Sequence, residues 1–127
     1  MGVRPHVVIV GAGFAGLAVA RGLERLPVEV TLIDRNNFTT FQPLLYQVAT
    51  AGLNAADVAH PIRGLFHRQR NLRMLVGEVT GVDWDKREVV LADHQPVAFD
   101  HLVLATGAVA SWFGVPGAVE YALKEQR

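Results

Sequence analysis

The chain has 127 residues, half of them hydrophobic and 19% charged, with Lys plus Arg equal to Asp plus Glu at 12 each. That balance leaves no global field to gather nucleic acid or anionic membrane, and the composition is that of one globular unit without a disordered tail. The lack of cysteine excludes a disulfide scaffold, thiolate metal sites and a CxxC redox pair within these residues, without locating a compartment.

Fourteen apolar or glycine residues run from Val7 to Ala20 behind a basic Arg4. The run is too short for a membrane span of about 20 residues. It has the hydropathy of a secretory leader, yet a leader explains neither its three glycines nor the second strand and terminal acid beyond it. Myristoylation is excluded because His6 stands where Ser or Thr is needed. Val7-Val8-Ile9-Val10 reads as a fully buried parallel strand, and Gly11, Gly13 and Gly16 form G-x-G-x-x-G directly after it. Leu17, Ala18, Ala20 and Leu23 continue as an amphipathic helix, with Arg21, Glu24 and Arg25 in its later turns and Pro27 as its stop. Val28 to Ile33 is a second buried strand, and Asp34 closes it 18 residues beyond Gly16, where this fingerprint expects an acid.

The chemistry follows from the geometry of such a turn. Gly11 permits the tight turn, Gly13 lets a pyrophosphate approach the backbone, and Gly16 lets the helix pack on the strand. Helix-start N–H groups near Phe14 and Ala15 then face the phosphates, aided by the helix dipole. Asp34 accepts hydrogen bonds from the ribose hydroxyls of an ADP moiety and repels a 2′-phosphate, which selects FAD or NAD over NADP. Arg35 either lies over the adenine or is solvated. A glycine-rich turn with no ligand is the plainer alternative, and the fingerprint does not separate FAD from NAD.

Residues 36 to 42 read as a polar loop carrying Phe38 and Phe41, and Pro43 suits the first turn of a short helix through Ala49. Asn54 with Asp57 three residues on looks like a helix cap. Pro61 opens a further helix with Ile62, Leu65 and Phe66 on one face. Arg63, Arg68 and Arg70 read as a solvated face. The five histidines, His6, His60, His67, His94 and His101, show no metal-ligand spacing. Leu72 to Val76 is a third buried strand. Glu78 to Val82, Glu88 to Leu91 and Val97 to Phe99 form a small antiparallel set with turns at Asp83-Trp84-Asp85-Lys86 and Ala92-Asp93-His94. His101 to Ala105 returns to the parallel sheet and ends in Thr106-Gly107.

The expected fold is α/β: a Rossmann-like parallel sheet with GxGxxG, carrying a small antiparallel β excursion, an FAD/NAD(P)-binding fold that is incomplete. "GAGFAG", "LID" and "LATG" resemble the two-dinucleotide-binding-domain flavoproteins. Within them, "FQPLLYQVATAGL" (41–53), "PIR" and "GEVTGVD" (77–83) resemble type II NADH:quinone oxidoreductase, over the stretch from His6 to about Tyr121. The resemblance implies that Gly11 to Gly16 and Asp34 hold the ADP part of FAD and that Val79 meets the adenine through its backbone. It further implies that Ala105, Thr106 and Gly107 line the pyrophosphate and flavin side and that Gln42 to Gln47 pass near the isoalloxazine. NADH then reduces FAD, which reduces a membrane quinone, with no catalytic residue or metal required from this segment.

Departures from that pattern shape the domain expectation. A second GxGxxG, a later Gly-Asp strand and a C-terminal membrane-binding region are missing, so residues 1–127 read as an N-terminal segment of an FAD-binding domain or a truncated product. Its Rossmann core covers about 6–76 and 101–107, and its β excursion about 78–99. An exposed sheet edge and an uncovered apolar face would follow. The larger enzyme is expected to be cytoplasmic, peripheral on the inner membrane. Sulfide:quinone or ferredoxin reductases and a non-catalytic dinucleotide-binding module are the alternatives. Disulfide reductases fit less well, because their early redox cysteines fall in 41–50, where there is no Cys.

Overall fold

β-Branched and apolar residues at every position of Val7–Val10 leave this strand no solvated face, and it becomes the inner strand of a four-stranded parallel sheet. The computed structural model describes residues 2–40, 42–109 and 111–121. In chain order these form β1 (His6–Val10), α1 (Phe14–Gly22), β2 (Glu29–Asp34), β3 (Phe38–Thr40), a single 3-10 turn (Gln42–Leu44) and α2 (Leu45–Ala49). Then come α3 (Ala55–Val58), β4 (Ala59–Pro61), α4 (Ile62–Leu65), β5 (Leu72–Val76), β6 (Val79–Asp83), β7 (Glu88–Leu91), β8 (Val97–Ala98), β9 (His101–Leu104) and α5 (Ala118–Tyr121).

The parallel sheet has the order β5-β2-β1-β9, and β6-β7-β8 form a separate antiparallel sheet, which together make the expected α/β fold with its β excursion. Alternation along β1 divides the core in two. Val7 and Ile9 point to one face, where Ala20 of α1, Ile62 and Phe66 pack with Val30 and Leu32. Val8 and Val10 point to the other, where Ile33 packs with Val89, Leu91 and Phe99 beside the antiparallel sheet. The chain is therefore three layers deep. At the sheet edge, Leu104 of β9 is 58% exposed.

Several local expectations are corrected. Residues 38–40 are a strand, not loop: Phe38, Thr39 and Thr40 pair antiparallel with Pro61, His60 and Ala59. Thr39 and Thr40 are β-branched, and Pro61 sits at the strand end where its missing N–H costs nothing; the next N–H, of Ile62, reaches the Asn37 carbonyl at 3.0 Å. Helix α1 ends at Gly22, well before Pro27, and Leu23 lies outside it. Two side-chain amides serve carbonyls around that end. Gln69, only 7% exposed, donates Nε2–H to the Ala20 carbonyl at 2.9 Å. Asn71 donates Nδ2–H to the carbonyls of Leu23 at 2.9 Å and Val28 at 3.1 Å. Of these carbonyls only that of Ala20 belongs to α1, where the last carbonyls lack intrahelical partners; those of Leu23 and Val28 lie in the connection to β2. Val28 and Glu78 likewise fall just outside their strands, as do Phe99 and Ala105.

The expected caps and turns form. The Asp57 carboxylate accepts the Asn54 N–H at 3.0 Å at the start of α3. Asp83 accepts the Lys86 N–H at 3.0 Å, and this bond, with the Lys86 ammonium at 3.5 Å, holds the partly exposed Asp83 carboxyl below its ordinary range. Trp84 meets Phe99 edge-on, ring centroids 6.4 Å apart, and so seals the end of the antiparallel sheet.

The amide pair yields a first prediction. Gln69→Leu keeps the bulk but leaves the buried Ala20 carbonyl unpaired, and is expected to lower stability by about 1–3 kcal/mol. Urea unfolding followed by far-UV circular dichroism checks it; an unchanged midpoint would show that water or another donor serves that carbonyl equally well.

Candidate functional site

All four parallel strands end at the same edge. Register places Val10 beside Ile33 and Leu104, and Asp34 beside Val76. The segments that follow them, Gly11 to Gly16, Asp34 to Asn36, Gly77 to Val79 and Ala105 to Gly107, are thereby gathered at the carboxyl ends of the strands. Ligands of open α/β sheets bind at this edge. Nearly every residue singled out in the sequence lies there.

The three glycines turn out to have different causes. Gly11 adopts φ +102°, and a Cβ on it would strike the Ala105 carbonyl oxygen, so this position needs glycine both for its backbone and for the approach of the β9 end. A Cβ on Gly16 would strike the carbonyl oxygen of Gly11, which seats α1 on the turn. Gly13 is unlike either. Its φ of −81° and ψ of −165° suit any residue, and a Cβ there would meet nothing within 4 Å. No packing among the described residues demands glycine at position 13. The space in front of it, at the N-terminus of a nine-residue helix with no side-chain cap, has the form of a phosphate cradle. Phe14 and Ala15, at the mouth of that cradle, are both exposed.

Asp34 stands beside the cradle with its carboxylate oriented by backbone. Its Oδ2 accepts the Ala12 N–H at 2.7 Å and its Oδ1 accepts the Asn36 N–H at 2.8 Å. Each oxygen retains a further lone pair for a hydroxyl donor. The Asn36 bond is an Asx turn, legible in principle from Asp-Arg-Asn; the Ala12 bond requires the fold. Gly77 donates its N–H to the Asp34 carbonyl at 2.9 Å, which brings Val79 to the same corner. The Val79 side chain packs into the core under the antiparallel sheet.

The remaining residues divide clearly. Ala105 is tied down by its N–H bond to the Val10 carbonyl at 2.8 Å, and Thr106 and Gly107 follow it exposed, Gly107 at φ +70°. Arg35 is exposed and forms no ion pair among the described residues. Within 42–47, Gln47 Nε2–H donates to the Tyr46 hydroxyl at 2.9 Å. Arg70 joins Arg4 and Arg25 around a groove of about 380 Å³, together with Glu24, Leu26, Pro27 and Asn71. Because Arg4 precedes β1 and Asn71 precedes β5, that groove belongs to the amino-end side of the sheet, away from the cradle.

Three of the five histidines have hydrogen-bond partners within the fold. His6 Nε2 lies 2.8 Å from Thr31 Oγ1, His67 Nδ1 2.8 Å from the Gly64 carbonyl, and His94 Nε2 2.9 Å from the Val76 carbonyl. Among the described residues no group of three His, Asp or Glu side chains is placed to hold a metal, and no helix is long and apolar enough to cross a membrane.

Comparison with known proteins places this geometry. The chain is 44% identical over 117 residues to a type II NADH:quinone oxidoreductase, NdhA, of Mycobacterium tuberculosis, covering 90% of this chain and 25% of that protein. It is 41% identical over 122 residues to a second such enzyme, Ndh, of the same organism, covering 94% and 26%. The chain thus spans about a quarter of the length of these curated relatives. Among solved structures, the sulfide:quinone oxidoreductase of Aquifex aeolicus superposes with a TM-score of 0.84 at 28% identity, over 91% of this chain and 27% of that one. NDH2 of Plasmodium falciparum in complex with NADH superposes with a TM-score of 0.81 at 27% identity, over 94% and 26%. The family model for pyridine nucleotide-disulphide oxidoreductases matches residues 5–127. The chain belongs to the pyridine nucleotide-disulphide oxidoreductase family.

Proposed function

We propose that this chain is the FAD-binding segment of a type II NADH:quinone oxidoreductase. The observation that carries the reading is the open space at Gly13 beside the backbone-oriented Asp34 carboxylate, in a chain 44% identical to an enzyme of that name. FAD, when bound, supplies an acceptor for the hydride of NADH and a donor of electrons to the quinone.

The chain's own residues bind and orient. The Gly11–Gly16 turn receives the pyrophosphate against the start of α1, with Phe14 and Ala15 at its mouth. Asp34 accepts the ribose hydroxyls, and its charge opposes a 2′-phosphate. Val79 offers its backbone to the adenine, and the exposed Arg35 lies over the same group. Ala105, Thr106 and Gly107 line the path toward the flavin, and 42–47 passes beside the isoalloxazine. NADH and quinone are met by the rest of the enzyme, which works at a membrane surface because quinones partition into lipid.

The second reading is a sulfide:quinone oxidoreductase, favoured by the 0.84 TM-score. Sequence identity opposes it, at 28% against 44%. A non-catalytic dinucleotide-binding module is a third reading, and a coding region that continues into a second GxGxxG would remove its basis.

Titration of the cofactor-free full-length protein with FAD, followed by flavin fluorescence, tests the proposal. Saturable binding that NAD displaces poorly is expected, and NADH should then reduce the bound flavin. A folded protein that takes no FAD would sink the reading. Substitutions at the glycines sharpen the test. Gly13→Val should leave the unfolding midpoint within about 0.5 kcal/mol of wild type, as expected where nothing packs, while abolishing FAD binding. Gly16→Val should instead destabilise by several kcal/mol, on the order of a severe packing clash. Equal stability losses at both positions would mean that Gly13 serves packing and not a ligand. Asp34→Asn turns an amide donor toward either the Ala12 or the Asn36 N–H and removes the charge; FAD affinity should fall roughly 10–100-fold, at about 1.4 kcal/mol per tenfold. Affinity within twofold of wild type would remove Asp34 from the site.

A further inference from the structure

We infer that His94 is a positioning residue for the adenine end of this site. It holds the β5–β6 turn in the form that the nucleotide meets. The inference rests on the proposed role of the Val79 backbone.

Three hydrogen bonds fix the peptides around Gly77. The Gly77 N–H goes to the Asp34 carbonyl at 2.9 Å, and the Glu78 carbonyl accepts the Ala92 N–H at 2.9 Å. The Val76 carbonyl lies 2.9 Å from His94 Nε2, across 18 residues of sequence. A carbonyl only accepts, so the ring supplies the proton and carries it on Nε2. The first two ties join backbone to backbone and survive any change of side chain. His94 provides the tie that sequence can vary.

Packing supports the same assignment. A Cβ on Gly77 would come within 2.9 Å of both His94 Cδ2 and Leu91 Cδ2. The Gly77 backbone is not in the left-handed region, so what calls for glycine there is the space taken by the imidazole edge and Leu91. The ring therefore bonds the residue before Gly77 and lies against Gly77 itself.

The start of β6 also needs such a restraint. Val79 pairs with Leu91, but the register shifts between Val79 and Gly81, so the β6–β7 ladder does not dictate the direction of the Val79 peptide by regular pairing alone. Because Val76 is beside Asp34 in the parallel sheet, the His94 bond also sets the distance between the Val79 backbone and the carboxylate proposed for the ribose. A turn already fixed in its bound form spares the ordering cost on binding.

The test uses the full-length protein with His94→Ala, His94→Gln and His94→Asn. FAD affinity is measured by titrating the cofactor-free forms, and amide hydrogen exchange is followed at residues 77–79. Glutamine places an amide nitrogen at the ε position and asparagine does not. His94→Ala and His94→Asn should weaken FAD binding about tenfold, as for loss of one preorganising bond. They should also speed exchange at 77–79 while β1 and β2 stay protected. His94→Gln should restore both to within about twofold of wild type, as conservation of the donor requires. If wild type binds FAD and His94→Ala binds it equally well, this inference falls alone. If glutamine fails as badly as alanine, the bond is not the cause and the inference also falls. Wild-type protein that takes no FAD overturns the site reading, and this inference with it.

Discussion

Much of the molecule depends on one close approach, that of Gly16 to the carbonyl of Gly11. Only where residue 16 has no Cβ can α1 sit this near to the end of β1. The contact anchors the helix on the sheet, directs its N-terminus toward the strand ends, and leaves Gly13 between the two facing open space. Gly11 repeats the device on its other side, where the β9 end arrives at the Ala105 carbonyl. A side chain at position 16 would push α1 from a sheet whose apolar contacts with it, from Ile9 to Ala20, form part of one half of the core, and one at position 11 would displace the end of β9. Packing and the proposed binding thus share a single turn, with Gly11 and Gly16 required by packing and Gly13 facing open space among the described residues.

The second condition is polar satisfaction at the ends of α1 and β2. A helix only nine residues long leaves a large share of its carbonyls without intrahelical partners. Gln69 supplies one of them, to the Ala20 carbonyl, Asn71 serves the Leu23 carbonyl just beyond the helix, and no buried side-chain nitrogen or oxygen among the described residues lacks a partner. Asp34 does the equivalent work at the other edge, where the Ala12 and Asn36 N–H groups converge on one carboxylate. That arrangement joins the glycine turn to the β2 end by an ionic hydrogen bond, the stronger kind. The carboxylate proposed for the ribose is therefore also a group that holds the turn.

The antiparallel sheet has a role beyond covering the second face. Through β6 and the 92–94 turn it reaches back to the carboxyl edge, so that Gly77 to Val79 lie beside Asp34 while Val89, Leu91 and Phe99 fill the core beneath. An excursion that only shielded apolar residues would have no need of a register shift at Val79 or a histidine against Gly77.

Local pattern was sufficient for the sequence to determine most of the elements, because each has a short-range cause: a run of β-formers at Val7–Val10, the spacing of Gly11, Gly13 and Gly16, the Asn54–Asp57 cap, and the turn after Asp83. The glycine spacing and the acid closing β2 located Gly11 to Gly16 and Asp34, whereas Val79 and Ala105 to Gly107 at the same edge came from the resemblance carried by "GEVTGVD" and "LATG". Where pairing over distance decided the outcome, sequence was silent. Residues 38–40 carry no strong strand signal and become a strand only because Ala59–Pro61 lies alongside. Helix α1 ends at Gly22, and only the fold shows that amides nearly fifty residues away serve the Ala20 carbonyl within it and the Leu23 carbonyl just beyond it. G-x-G-x-x-G names three glycines alike, yet only tertiary contacts distinguish the two that the protein itself requires from the one that faces open space. The reason is physical: periodicity and caps act within a few residues, while what a Cβ would strike, and which N–H a carboxylate meets, depend on neighbours that the folded chain alone supplies.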